Sequence, residues 1–138
     1  MSAWRGRCHC GAVGFEYDTA KPPGEWPVRD CQCSFCQKHG ACYTSDPAGW
    51  VRLVHTDPAV LSRYRFGQQT ADFVFCCRCG GYLGAVTEED GRTLMVLNLR
   101  AFDPQPEGLQ AAQPMTYDGE STGDRNARRF ARWTPVRS

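Results

Sequence analysis

Cysteines are the residues of this chain best suited to chemistry, and eight of the nine fall into three groups. Cys31, Cys33 and Cys36 form a C-x-C-x-x-C stretch within residues 30–40. Cys8 and Cys10 form a pair near the start, and three more cysteines lie within residues 76–79. Thiolates at such spacing are soft ligands that wrap one tetrahedral ion, and zinc is the usual occupant. The spacing therefore predicts metal binding.

The two outer groups predict a closed structural site. Cys8 and Cys10 supply two ligands, and Cys76 with Cys79 supplies two more, because C-x-x-C followed by glycine makes a tight knuckle. Cys77 leaves a second register open, since residues 77–79 read C-x-C. A structural zinc supplies roughly 10–16 kcal/mol in peptides, against a net domain stability of about 5–15 kcal/mol. Such an ion would decide whether the domain folds.

The triple supplies three ligands and leaves two interpretations. The site is closed if it is completed by one of four further side chains, Cys42, Cys77, His39 or His55. It is open if water or substrate takes the fourth position. An open zinc with three thiolates polarises water weakly, so hydrolysis is disfavoured. A thiol arriving at that position is deprotonated by the metal and stays nucleophilic, so thiol chemistry is favoured.

Several other polar residues lie close to these cysteines in sequence. His39 has the strongest claim of the histidines to proton transfer, because it follows the triple by three residues. Arg29, Lys38 and Arg78 are candidates to meet the carboxylates of an anionic thiol. Cys42 is predicted to be a small buried residue on a strand.

Length and charge exclude several classes. The 138 residues suit a single domain, and a net charge of +1 gives no field that favours nucleic acid or an anionic membrane. No apolar run is long enough to span a membrane. The first residues lack a secretory h-region, so we expect a cytoplasmic protein. Nine cysteines, an odd count, argue against a secreted disulfide scaffold. The sequence carries no signal on oligomeric state.

Alternation of apolar and polar residues predicts a mainly β fold of antiparallel sheets pinned by zinc. The predicted strands are residues 11–17, 41–44, 50–55, 63–66, 71–75, 82–87 and 93–99. The Asp90-Gly91 step predicts a hairpin turn, and a short helical turn should end at Gly40. Residues 103–114 read as irregular chain.

A short C-terminal helix is predicted from about Thr122 to Trp133. Ala127, Phe130 and Trp133 are expected to share its buried face. Four arginines would then spread over the exposed face, Arg125, Arg128, Arg129 and Arg132. This arginine-rich end is the best support for a competing class, a zinc-stabilised binding module without catalysis.

Three ordered motifs, within residues 6–13, 31–40 and 75–80, resemble those of the glutathione-dependent formaldehyde-activating enzyme family. That family includes the centromere protein V-like domains. The resemblance covers about residues 5–100, which leaves residues 101–138 as a C-terminal extension of a single zinc-binding domain spanning 1–138. It implies a tent-shaped β fold with two zinc ions per chain.

The resemblance also implies roles for the cysteines. Cys8, Cys10, Cys76 and Cys79 match the family's structural zinc site. Cys31, Cys33 and Cys36 match its catalytic zinc site. The implied activity is that of a carbon–sulfur lyase, joining glutathione to formaldehyde as S-(hydroxymethyl)glutathione or the reverse. The expected partners are thus a small thiol and an aldehyde, with no nucleic acid and no membrane. The alternative is a non-catalytic zinc module or a glutathione carrier.

Overall fold

The protein is described by a computed structural model that covers residues 2–117 and 119–137. Its strands are β1 (Ser2–Arg7), β2 (Val13–Thr19), β3 (Arg29–Cys31), β4 (Tyr43–Thr44), β5 (Trp50–His55), β6 (Leu61–Tyr64), β7 (Asp72–Cys76), β8 (Tyr82–Glu89), β9 (Arg92–Asn98), β10 (Gln113–Met115) and β11 (Thr134–Arg137). Its helices are α1 (Ser34–His39) and α2 (Thr122–Arg132), and three short 3-10 turns lie at Pro23–Glu25, Pro58–Val60 and Leu99–Ala101. The predicted mainly β fold with a short C-terminal helix is confirmed.

The strands form one branched sheet. Its main path runs β1-β2-β5-β11-β9-β4-β3-β10, and β6, β7 and β8 form a second arm that joins at β9. Most neighbours are antiparallel, whereas β10 with β3 and β11 with β5 are parallel. The predicted hairpin is confirmed, because Glu89 pairs with Arg92 across Asp90 and Gly91, both at positive φ.

The last strand joins the two halves of the sheet. Val136 of β11 pairs with Val51 of β5 on one side, and Thr134 pairs with Met95 of β9 on the other. Sequence analysis did not predict β11, since a four-residue strand containing a proline gives a weak pattern. The division into a core of about 5–100 and an extension stays a prediction.

The core has two parts, and the second lies beside the cysteine triple. The first is built on aromatic side chains of β2, with Phe15 packed edge-to-face on Phe102 at 5.1 Å between ring centroids. The second contains Cys36, Tyr43 and Trp133, all at least nine-tenths buried. The triple is therefore anchored in packed side chains.

The buried face of α2 differs from the prediction. Ala127 and Phe130 are exposed, Phe130 at 39%, whereas Arg129 is only 8% exposed. The Arg129 guanidinium lies over the Trp133 ring at 4.9 Å and donates a hydrogen bond to Thr70 Oγ1 at 2.6 Å. The prediction that Ala127 and Phe130 face the protein with Trp133 is wrong, because the helix turns arginines inward.

Both helices are short. The first has six residues and the second eleven, with Ser121 capping α2 by accepting the Asp124 N–H. Across residues 2–117 and 119–137, no helix has the length and apolar character needed to cross a membrane.

Candidate metal centres and active site

The two outer cysteine groups meet. The sulfur atoms of Cys8, Cys10, Cys76 and Cys79 all lie within 4.8 Å of one another. The Cys10 Sγ is 3.7 Å from the sulfurs of Cys8 and Cys76. Bonds of about 2.3 Å in a tetrahedral zinc site place sulfurs about 3.8 Å apart, whereas a disulfide requires about 2.05 Å. The spacing fits a shared metal ion.

The backbone brings the two knuckles together at Gly81. A Cβ at this position would lie 2.7 Å from the Cβ of Cys8, closer than side chains approach. Gly80 adopts a φ of +78° and donates its N–H to the Cys76 carbonyl at 2.8 Å. The Gly-Gly step after the second knuckle thus allows the chain to turn and the first knuckle to sit against it.

Cys77 lies outside this group. Cys76 is fully buried at the end of β7, where it pairs with Leu61, whereas the next residue along a strand faces the opposite way. Cys77 is exposed, and its Sγ makes a long 3.8 Å contact to the Ala59 carbonyl. Of the two registers left open by the sequence, the structure favours the one that uses Cys76 and Cys79.

The triple forms a second sulfur group. Cys31, Cys33 and Cys36 lie with their sulfurs within 4.8 Å of one another. Cys31 ends β3 and is held from one side by β10, whereas Cys33 caps α1 by accepting the Cys36 N–H at 3.4 Å. The helix ends at Gly40 with φ +60°, as predicted.

No fourth protein ligand joins the triple in the part of the chain that the structure describes. The His39 Nδ1 lies 2.9 Å from the Phe35 carbonyl, and its ring stacks on Phe35 at 4.1 Å. Cys42 packs against the first part of the core, and His55 lies on β5 opposite Val13. The geometry therefore favours the open interpretation over the closed one.

The three thiols differ in acidity. Hydrogen bonds from Cys31 and Cys36 lower the pKa of the Cys33 thiol to about 2. The contact with Cys33 raises the pKa of the Cys31 thiol, and the contacts with Cys31 and Cys33 raise the pKa of the Cys36 thiol, with burial adding to both effects. In the metal-free site Cys33 is therefore the thiol that ionises most readily, and Cys31 and Cys36 hold their protons more strongly. Metal binding must therefore release those protons.

Two tyrosines extend the site behind Cys36. The Tyr43 hydroxyl oxygen lies 2.9 Å from the Cys36 Sγ and 2.8 Å from the Tyr82 hydroxyl oxygen. Burial, with nearby Tyr82 and Cys36, raises the pKa of the Tyr43 phenol, so it stays a donor. A phenol that donates to a ligating sulfur orients and tunes it. Sequence analysis missed Tyr43, whose only signal was a tyrosine on a predicted strand after the triple.

The triple opens on a cavity of about 150 Å³. Tyr43 lies with the cysteines, and Phe66, Phe73 and Trp133 are the largest apolar side chains of its wall. Five arginines complete it: Arg29, Arg125, Arg128, Arg129 and Arg132. Four of the five come from α2.

Some of the other predicted site residues line the cavity, and others lie away from it. Arg29 lines the cavity, as expected for a residue that meets an anionic substrate. Lys38 and Arg78 are exposed and are not part of the wall, and neither is His39. The α2 arginines, assigned by sequence to the exposed face, contribute more charge to the cavity than the residues near the cysteine motifs.

The fold and its two sulfur groups define a mainly β protein with two candidate metal centres, one beside a cationic cavity. The family described as glutathione-dependent formaldehyde-activating enzyme matches residues 3–117, and the chain belongs to this family. The chain is also similar to a Rhodobacter sphaeroides protein known from a crystal structure, with a TM-score of 0.63 and 28% identity. That match covers 80% of this chain and 99% of the other. The family match includes all seven grouped cysteines and ends before α2.

Proposed function

We propose that the protein is a zinc-dependent carbon–sulfur enzyme that adds a thiol such as glutathione to formaldehyde, giving an S-hydroxymethyl adduct, or catalyses the reverse reaction. The observation that carries the proposal is a three-sulfur group that faces a cavity, with no fourth ligand from the described residues. Family membership supports glutathione and formaldehyde as the substrates.

The proposal assigns two zinc ions. Cys8, Cys10, Cys76 and Cys79 would hold a structural ion, for which the 3.7 Å sulfur spacings are suitable. The triple of Cys31, Cys33 and Cys36 would hold a catalytic ion with one position free. Zinc bound there supplies positive charge that keeps a substrate thiol in its nucleophilic thiolate form.

The surrounding residues prepare the reaction. As a zinc ligand Cys36 would be a thiolate with no proton to give, so the Tyr43 hydroxyl, 2.9 Å away, would donate to its sulfur and reduce the electron density that this ligand offers. Phe66, Phe73 and Trp133 form an apolar wall that limits water around the aldehyde. The cavity arginines attract an anionic thiol and orient it by hydrogen bonds.

The chemical step is an addition to a carbonyl. A lone pair of the substrate sulfur forms the new carbon–sulfur bond, and the carbonyl π pair becomes a lone pair on oxygen. A proton from solvent at the cavity mouth completes the hydroxyl group, and it balances the proton that the thiol lost on binding. No oxidant or reductant is needed, which suits a site made of side chains and zinc.

Cobalt substitution tests thiol binding. We expect glutathione to raise the thiolate-to-cobalt absorption of cobalt-loaded protein, since its sulfur adds a ligand at the open position. S-methylglutathione, which has the same peptide but no ionisable thiol, is the control and should leave the spectrum unchanged. A spectrum that ignores glutathione would refute thiol ligation. A spectral change without faster adduct formation would identify a glutathione carrier in place of an enzyme.

A further inference from the structure

Arg129 of α2 is a buried cation with unused hydrogen-bonding capacity. Arg129 is 8% exposed, and its Nε is buried without a hydrogen-bond partner within the described ranges 2–117 and 119–137. One Nη donates to Thr70, and the guanidinium lies over the Trp133 ring. A buried charged donor without a partner lowers the stability of the folded protein, and this cost applies to the Arg129 Nε in the cavity wall.

The charges around the cavity do not balance. Glu120 accepts hydrogen bonds from Arg125 and Arg128, each at 3.0 Å. Arg29, Arg129 and Arg132 pair with no carboxylate in the described part of the chain. The cysteine triple with zinc would add a single net negative charge. Among residues 2–117 and 119–137, five arginines thus line the cavity with Glu120 as their one paired carboxylate, and the excess charge of these described groups is positive.

Arg29 and Arg129 both keep their positive charge. Burial lowers the pKa of Arg129 to about 10, with repulsion from Arg128 and Arg125 adding to the effect. Burial likewise lowers the pKa of Arg29, which lies on β3 and donates to Ser45 Oγ at 2.9 Å. An arginine side chain stays protonated in proteins, because an ordinary guanidinium titrates far above neutrality. The cavity therefore holds protonated guanidinium groups that an anion would stabilise.

We propose that Arg29 and Arg129 form an anion subsite that binds a carboxylate of the substrate while its reacting group lies at the cysteine triple. Arg29 lies within residues 3–117 that match the family, whereas Arg129 belongs to α2, beyond that match. The identification of the ligand as a substrate rests on the proposed function, whereas anion binding itself does not.

The volume of the cavity limits how much of a ligand it can enclose. Its volume of about 150 Å³ is below the about 300–1,000 Å³ of pockets that enclose drug-sized molecules. It can enclose the reacting end of a ligand with a carboxylate a few bonds away, and the rest of a larger thiol such as glutathione would extend out of the cavity mouth. The carboxylate is carried either by the thiol or by the aldehyde, and guanidinium groups recognise it in the same way.

Matched thiols test the subsite in zinc-loaded, full-length protein. 3-Mercaptopropionate and 3-mercaptopropionamide have the same shape and differ in charge. We expect the acid to bind roughly 10- to 100-fold more tightly by calorimetry, the range for a charge-assisted hydrogen bond. Arg129→Gln should remove this preference while leaving the affinity of the amide unchanged. Arg92→Gln, which removes an exposed arginine outside the cavity wall, is the control for general charge and should keep the preference.

Further experiments distinguish failure of the proposed function from failure of the anion subsite. If neither thiol binds, the proposed function fails, and the subsite is then judged by propionate against propionamide in a thermal shift assay. Where Arg129→Gln does not fold, Arg29→Gln takes its place. A further comparison decides whether the thiol or the aldehyde carries the carboxylate. Glyoxylate and glyoxylamide serve as the aldehydes and 2-mercaptoethanol as the thiol. A preference for glyoxylate over glyoxylamide assigns the carboxylate to the aldehyde. Equal binding of acid and amide by wild-type protein in every arm, or a preference that survives both substitutions, would overturn the subsite.

Discussion

Cys79→Ser is expected to unfold the protein or make it aggregate, whereas Cys77→Ser is expected to leave it folded. Cys79 lies in the sulfur group that joins the end of β1 to the end of β7, so its loss frees two distant parts of the chain. A structural zinc contributes roughly 10–16 kcal/mol, which is comparable with the whole stability of a domain. Circular dichroism and thermal melts of the zinc-loaded variants measure the difference.

Cys77→Ser is a matched control for this prediction. It makes the same chemical change two residues away, at an exposed thiol outside the sulfur group. If the two variants melt at the same temperature as the wild type, the outer cysteines do not hold a metal that matters for folding. If Cys77→Ser is the variant that unfolds, the register assigned to the second knuckle is wrong.

Cys33→Ser is expected to abolish the acceleration of adduct formation from glutathione and formaldehyde, while the protein stays folded. Serine is a better helix cap than cysteine, so its Oγ can still accept the Cys36 N–H at the start of α1. What the variant lacks is a thiolate ligand of the triple. The rate should return to that of the uncatalysed reaction.

This assay has to resolve early times, because a thiol adds quickly to an unhindered aldehyde without any enzyme. Stopped-flow mixing with detection of the adduct suits that requirement, and Cys77→Ser should accelerate the reaction as the wild type does. Full acceleration by a folded Cys33→Ser protein would remove the triple from the mechanism.

Local spacing was enough to predict most elements near the site. The C-x-C-x-x-C stretch and Gly40 predicted a helical turn after Cys36. The helix α1 begins earlier, at Ser34 inside the triple, and it ends where the left-handed glycine predicted. Alternation gave β2, β5, β7, β8 and β9 to within a few residues. These features depend on neighbours in sequence, whose geometry is set by the backbone and by the side-chain periods of strands and helices.

Contacts between segments that are far apart in sequence could not be predicted from local patterns. β11 is a strand because it fits between β5 and β9, and nothing within its four residues indicates those partners. Tyr43 reaches Cys36 only because β4 lies beside β3 in the sheet. Neither contact leaves a periodic pattern in the sequence.

The face of α2 was predicted wrongly for a physical reason. An amphipathic pattern assigns arginine to solvent, yet this helix borders a cavity. There the Arg129 guanidinium contacts Trp133 and Thr70, and the Arg128 guanidinium pairs with Glu120. Long arginine side chains pack their stems on apolar surface and place the charge at the end. Burial of the arginine face therefore follows from the cavity, which the sequence pattern does not reveal.

The most direct test of the central claim is anomalous diffraction at the zinc edge from crystals grown with glutathione. Two zinc peaks per chain are expected. One should lie among Cys8, Cys10, Cys76 and Cys79, and the other among Cys31, Cys33 and Cys36, with the glutathione sulfur about 2.3 Å from it. A single peak per chain, or a second ion whose fourth ligand is a protein side chain, would contradict the claim.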